Sequence, residues 1–207
     1  SISVPLGKTT ITRKVKSLAI IIRSYTFGNT DNTKVMLDQN KKRIFDLPKI
    51  DYTLRTIKSV IKSCEIAKEF FKDTNIKIII TDDRSSKKNL DKINQLLNDT
   101  ILSTQLINLK ENEFNEKIKK IDTNGKTISE NMISNMRNLY KSIEISENDD
   151  SDLFYFLEDD YIHTKEAITE MLFTYEKITT QLNQEIFLCP ADYPYLYSSI
   201  DDSKIFF

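Results

Sequence analysis

The sequence predicts an α/β fold of the Rossmann-like kind: a mostly parallel sheet with helices on both faces. Three observations carry this expectation. The wholly apolar runs at residues 18–22 and 153–157 are strand-sized, and read as strands covered on both sides. Stretches with apolar residues every three or four positions read as amphipathic helices, and these alternate with the strand candidates along the chain. Such alternation implies parallel strands joined by right-handed crossovers, which place helices on both faces.

The first strand is Leu18-Ala19-Ile20-Ile21-Ile22, bounded by Lys16 and Arg23. Residues 26–52 lack sustained periodicity, although 35–37 and 43–47 are able to pair as a small hairpin. Leu54, Ile57, Val60, Ile61, Cys64, Ala67, Phe70 and Phe71 then define a helix, with Asp51 or Thr53 as its cap. A second strand at 76–81 runs into Asp82-Asp83, and Ser85 or Ser86 caps a helix carrying Leu90, Ile93, Leu96 and Leu97.

A third strand covers 102–109, and Phe114, Ile118 and Ile121 suggest a short helix before the Asn124-Gly125 turn. Ile128, Met132, Ile133, Met136, Leu139, Tyr140 and Ile143 form the next helical stripe, predicted to lie in the core. Asn131, Asn135, Arg137 and Asn138 then cover the wet face of that helix, from which they could also turn toward a crevice. Residues 147–152 read as a solvated acidic loop, and 153–157 as the fourth strand. Ala167, Ile168, Met171, Leu172, Tyr175, Ile178 and Leu182 give a long helix, followed by a short fifth strand at 186–188. With no internal repeat and no low-complexity linker, residues 1–207 are expected to form a single domain. The apolar ending Ile205-Phe206-Phe207 reads as the cut edge of a longer protein.

Thirty basic residues stand against thirty-one acidic ones, which argues against a general nucleic-acid binder. The apolar runs are too short to cross a bilayer and no signal-peptide pattern opens the chain, so a cytoplasmic protein is expected. Cys64 and Cys189 have no partner at metal-ligand spacing and read as buried, reduced thiols.

Function is expected at the carboxyl ends of the strands, where open α/β sheets bind ligands. Three strands deliver charge there: Arg23 after the first, Asp82 and Asp83 after the second, and Glu158-Asp159-Asp160 after the fourth. Adjacent carboxylates repel one another and invite a neutralising partner. A hard divalent cation suits them, since Mg²⁺ and Mn²⁺ are held by one or two carboxylates plus substrate phosphates. The competing reading is a solvated turn that caps the helix starting near His163, itself expected to face solvent. No glycine-rich phosphate loop is present, which argues against a dinucleotide-binding oxidoreductase and a P-loop nucleotidase. Tyr193, Tyr195 and Tyr197, around Asp192 and Pro194, suit either a sugar-stacking surface or the packing of an irregular segment.

Four segments together resemble a nucleotide-sugar glycosyltransferase of the GT-A fold, close to glycosyltransferase family 2, over residues 18–197. They are Arg23-Ser24-Tyr25, Tyr52-Thr53-Leu54-Arg55-Thr56-Ile57, Thr81-Asp82-Asp83-Arg84-Ser85-Ser86 and Phe156-Leu157-Glu158-Asp159-Asp160-Tyr161. The resemblance implies a nucleotide site near Arg23 and Tyr25, with Asp82 or Asp83 on the nucleobase or ribose. It implies Mn²⁺ or Mg²⁺ at the acidic triplet, on Asp160 with Glu158, and Asp159 nearer the ribose. The partners implied are a nucleoside-diphosphate sugar donor and an acceptor hydroxyl on a glycan, a lipid-linked sugar or a protein, the lipid case placing the reaction at the cytoplasmic membrane face. An inverting transfer also needs a carboxylate base downstream, for which Asp192, Asp201 and Asp202 remain, Asp192 being the choice. The rival expectations are a metal-dependent nucleotidyl- or phosphotransferase, and a non-catalytic nucleotide-sugar-binding module.

Overall fold

A computed structural model describes residues 10–26, 47–121 and 124–190. The chain divides into two compact units, one comprising Val15–Glu170 and the other Ser1–Lys14 with Met171–Phe207.

The first unit carries the sheet. Its strands are β1 (Ser17–Ser24), β2 (Asn75–Asp82), β3 (Ser103–Asn108) and β4 (Leu153–Glu158). All neighbours pair in parallel in the order β3-β2-β1-β4, so β1 and β2 are central and β3 and β4 are edges. Burial follows this order. Ile20, Ile21, Ile22, Ile78 and Ile80 are fully enclosed, whereas β4 keeps Phe156 partly exposed, stacked on Phe154 with ring centroids 6.3 Å apart.

The crossovers are α1 (Lys49–Phe70), α2 (Lys87–Asn98) and α3 (Glu130–Glu147). The first two connections step one way along the sheet and the third steps back, so right-handed crossovers put α1 and α2 on one face and α3 on the other. The predicted α/β architecture is therefore present, and β1 and β4 flank its switch point. Helix α1 seats Ile57, Val60, Ile61, Cys64 and Ala67 in the core. It begins after Pro48 without a side-chain cap, because neither expected cap serves: Thr53 lies a turn inside and is used elsewhere. Ser86 does cap α2, accepting from the Asn89 amide at 3.3 Å.

Several sequence expectations are corrected. Residues 110–121 hold only a single 3₁₀ turn, Asn115–Lys117, and the Asn124-Gly125 turn follows with Gly125 at φ +79°, a backbone setting that favours glycine. The acidic loop before β4 is structural and not merely solvated. Asp149 pairs with Lys77, and Asp152 accepts the backbone amides of Lys16 at 2.7 Å and Ser17 at 3.1 Å, satisfying the start of β1.

Helix α3 departs most. Its apolar stripe, Met132, Met136, Leu139, Tyr140 and Ile143, is 36–43% exposed. The face turned inward carries Ile133 with Ser134, Arg137, Asn138 and Ser142. Spacing gave the helix but not its rotation, because the rotation answers to polar groups at the strand ends, described below.

Helix α4 (Ala167–Leu182) begins in the first unit, where the Ile168 amide donates to Ser63 Oγ at 3.0 Å. In the second unit, Thr180 Oγ1 accepts the amides of Thr12 and Arg13 at 3.2 Å each, and Glu185 receives both Arg13 and the Tyr175 hydroxyl. Residues 186–188 form no strand: they pair with no strand among the described residues, and Phe187 is fully exposed. Cys189 is accordingly exposed, while Cys64 is buried as expected. Residues 35–46 of the expected hairpin lie outside the described residues. Among the described residues, no helix is long and apolar enough to cross a membrane.

Candidate functional site

Strand register decides which charged residues meet. Arg23 is the Cα partner of both Thr81 and Glu158, and Ser24 that of Asp82. Side chains alternate across a sheet, so this row and the next point to opposite faces. The acids therefore gather at one edge, on two sides of it.

On the α3 side, Arg23 Nη2 donates to Glu158 Oε1 at 2.7 Å, and its Nη1 to Asn135 Oδ1 at 3.1 Å. Tyr25 lies alongside, its hydroxyl donating to Asn131 Oδ1 at 2.8 Å, and partial burial raises its phenol above the usual value. Asp83 is fully enclosed between two guanidiniums, Arg84 Nε and Arg137 Nη1, each 3.3 Å from its Oδ2. Arg137 is itself buried, donating to the carbonyls of Glu113 at 3.0 Å and Lys110 at 3.3 Å. Asn138 Nδ2 donates to the Ser24 carbonyl at 2.9 Å. These bonds explain the rotation of α3: the ends of β1 and β2 need polar partners, and an unmet buried polar group costs about 1–3 kcal/mol.

On the α1 side, Asp82 accepts from the Ser85 amide at 2.9 Å and the Ser85 hydroxyl at 2.6 Å, a closed turn before α2. Burial pushes the Asp82 carboxyl up to about 6 against the pull of those bonds, and the nearby charge of Asp159 adds to the rise. Asp159 is also buried. Lys49 Nζ lies 2.5 Å from its Oδ1, and Thr53 Oγ1 donates to its Oδ2 at 2.6 Å. Asp160 turns outward, its side chain 40% exposed and its Oδ2 4.0 Å from the same ammonium.

The acidic triplet is thus dispersed, not clustered: Glu158 to Arg23, Asp159 to Lys49 and Thr53, Asp160 partly to solvent. Among the described residues no group of three or more metal-ligating side chains is assembled. The donor set fits a divalent ion only if most of its oxygen ligands come with a bound phosphate group, Asp160 supplying the protein ligand.

Neither a family model nor a curated protein matches the chain.

A second feature marks this edge as unfinished. Thr81 Oγ1, Ser134 Oγ and Asn138 Oδ1 are buried without a hydrogen-bond partner of good geometry. Native proteins leave few such groups. A separate cleft of about 570 Å³ lies between α1 and α2, lined by Leu54, Leu96, Arg55, Lys58 and Lys92 among others, and no residue predicted for the site lines it.

His163 does not face solvent as expected: Nε2 and the Tyr155 hydroxyl are 2.9 Å apart, Nδ1 and the Tyr161 carbonyl 3.2 Å, and burial lowers its affinity for a proton. Asp192, Asp201, Asp202 and the three C-terminal tyrosines lie outside the described residues. Sequence reading missed Lys49, which no motif marks, and gave Thr53 and Ser85 only as capping candidates. Their pairing with strand-end acids comes from chain segments 110 and 3 residues apart in the first and last of these contacts.

Proposed function

We propose that the chain is a glycosyltransferase, or the donor-binding part of one, acting in the cytoplasm on a nucleoside-diphosphate sugar. The observation that carries this reading is the delivery of Arg23, Asp82, Asp83 and the acidic triplet to one carboxyl edge of a parallel sheet, on its two faces, at the strand ends around the switch point. The unpartnered polar atoms at the same edge support a polar ligand there. The resemblance of three strand-end segments and the segment at 52–57 in α1 to the GT-A family supplies the substrate class.

In this reading Arg23 and Tyr25 border the nucleotide, Asp82, Asp83 and Asp159 shape its polar pocket, and Asp160 faces the diphosphate. Mn²⁺ or Mg²⁺ bound with the donor would offset the charge of the departing diphosphate, with Asp160 and, on exchange of Arg23, Glu158 as its protein ligands. The acceptor oxygen bonds to the anomeric carbon as the bond from that carbon to the diphosphate breaks. The electron pair leaves on the diphosphate, and the acceptor proton passes to a general base, for which Asp192 is the candidate.

Melting shifts with a panel of nucleoside-diphosphate sugars and Mn²⁺ test the reading, since ligands of the folded state raise stability by mass action. Stabilisation by sugar nucleotides with slow release of free sugar is the expected result. Response to nucleoside triphosphates alone would point to nucleotidyl or phosphoryl transfer, and no response to any of them overturns the assignment.

A further inference from the structure

The Lys49 ammonium lies between two carboxylates of the triplet, 2.5 Å from Asp159 and 4.0 Å from Asp160. It is held there by the chain itself. Lys49 is the first residue of α1, and Thr53, one turn on, fixes the second oxygen of Asp159 from the same helix. The side chains of Lys49 and Asp159 are only 9% and 8% exposed, so their attraction is little screened by solvent. Glu158, the remaining acid, is turned to the other face and matched by Arg23.

We propose that Lys49 is a resident counter-ion that keeps the ligand-free protein from taking up a divalent metal. With the ammonium in place, an ion approaching Asp159 and Asp160 meets a like charge between them and finds both oxygens of Asp159 engaged. A nucleoside diphosphate changes that balance, because its phosphates bring both the oxygen ligands and the negative charge that the protein withholds. The ion then loads with the donor and not before it. This second statement rests on the transferase reading; the first does not.

The test is the binding of Mn²⁺ alone, followed by loss of the electron paramagnetic resonance signal of the free aqueous ion. The parent is expected to bind weakly. Lys49→Met is expected to bind Mn²⁺ about tenfold more tightly or better, since two adjacent carboxylates lose their internal cation. Lys49→Arg, which keeps the charge, should behave as the parent. If Lys49→Met does not fold, Lys49→Gln keeps a donor to Asp159 without the charge and should show the same gain. A variant without the charge that binds no better than the parent overturns the proposal, as does a parent that already binds as tightly as the variant. Addition of UDP or GDP is a separate arm: if neither raises the Mn²⁺ affinity of the parent while the Lys49 variants still differ, the transferase reading fails and the counter-ion assignment stands.

Discussion

Asn138 of α3 donates its side-chain amide to the backbone carbonyl of Ser24, the last residue of β1, at 2.9 Å. That bond fixes which side of α3 meets the sheet, and it turns the methionine-rich stripe outward. The same carbonyl also accepts the Asp83 amide at 3.3 Å, so the buried end of β1 is held by two bonds, one of them from α3.

The two faces of α3 should respond oppositely to substitution. Leu139→Ser, on the exposed stripe, is expected to change unfolding free energy by no more than about 0.5 kcal/mol. Asn138→Ala should cost about 0.5–1.5 kcal/mol by removing the shorter of the two hydrogen bonds that the Ser24 carbonyl accepts. Urea denaturation of both variants measures the contrast, and equal losses would contradict it.

Removing Arg137 leaves Asp83 buried with half its positive surroundings gone. Arg137→Met is expected to cost about 3–5 kcal/mol, as for a buried ion pair broken on one side. The pair Arg137→Met with Asp83→Asn should recover part of that loss, which a double-mutant cycle reads directly.

Asp82 gives the protein a pH signature. Its carboxyl titrates at about 6 in the folded chain and near 4 unfolded, so the unfolded state releases the proton first as pH rises. Its contribution is most favourable below about pH 4 and declines as pH rises through 6, a change of about 3 kcal/mol. Asp82→Asn should flatten the stability profile across this window, and a profile with unchanged slope would sink the assignment.

Thr53→Val removes the hydroxyl that donates to Asp159 while preserving shape. A loss of about 1–3 kcal/mol is expected, since the carboxylate oxygen is buried and its other partner binds elsewhere. Thermal melting at neutral pH measures it.

Asp160→Ala should leave the melting temperature of the ligand-free protein nearly unchanged, because the side chain is substantially exposed. Under the transferase reading it should abolish the Mn²⁺-dependent part of any shift produced by a sugar nucleotide. A variant that responds as the parent does would remove Asp160 from the metal assignment.

The α/β class, the four strands and four α-helices that are present, and the delivery of acids to one edge of a parallel sheet were legible in the sequence alone, which also offered a fifth strand at 186–188 and a short helix at 114–121 that did not form. Each rests on local spacing: apolar runs make strands, three- and four-residue periods make helices, and polarity changes mark strand ends. The tertiary structure alone decided the rotation of α3, the division of Glu158 and Asp159 between two faces, and the pairing of Asp159 with Lys49. Those outcomes depend on which strand lies beside which and in what register, and a β pleat that sends neighbours to opposite sides cannot be aimed until its flanking helices are in place. Periodicity counts apolar residues along a helix; it does not count the carbonyls and carboxylates waiting beneath it, and at this sheet edge those polar demands outweighed the stripe.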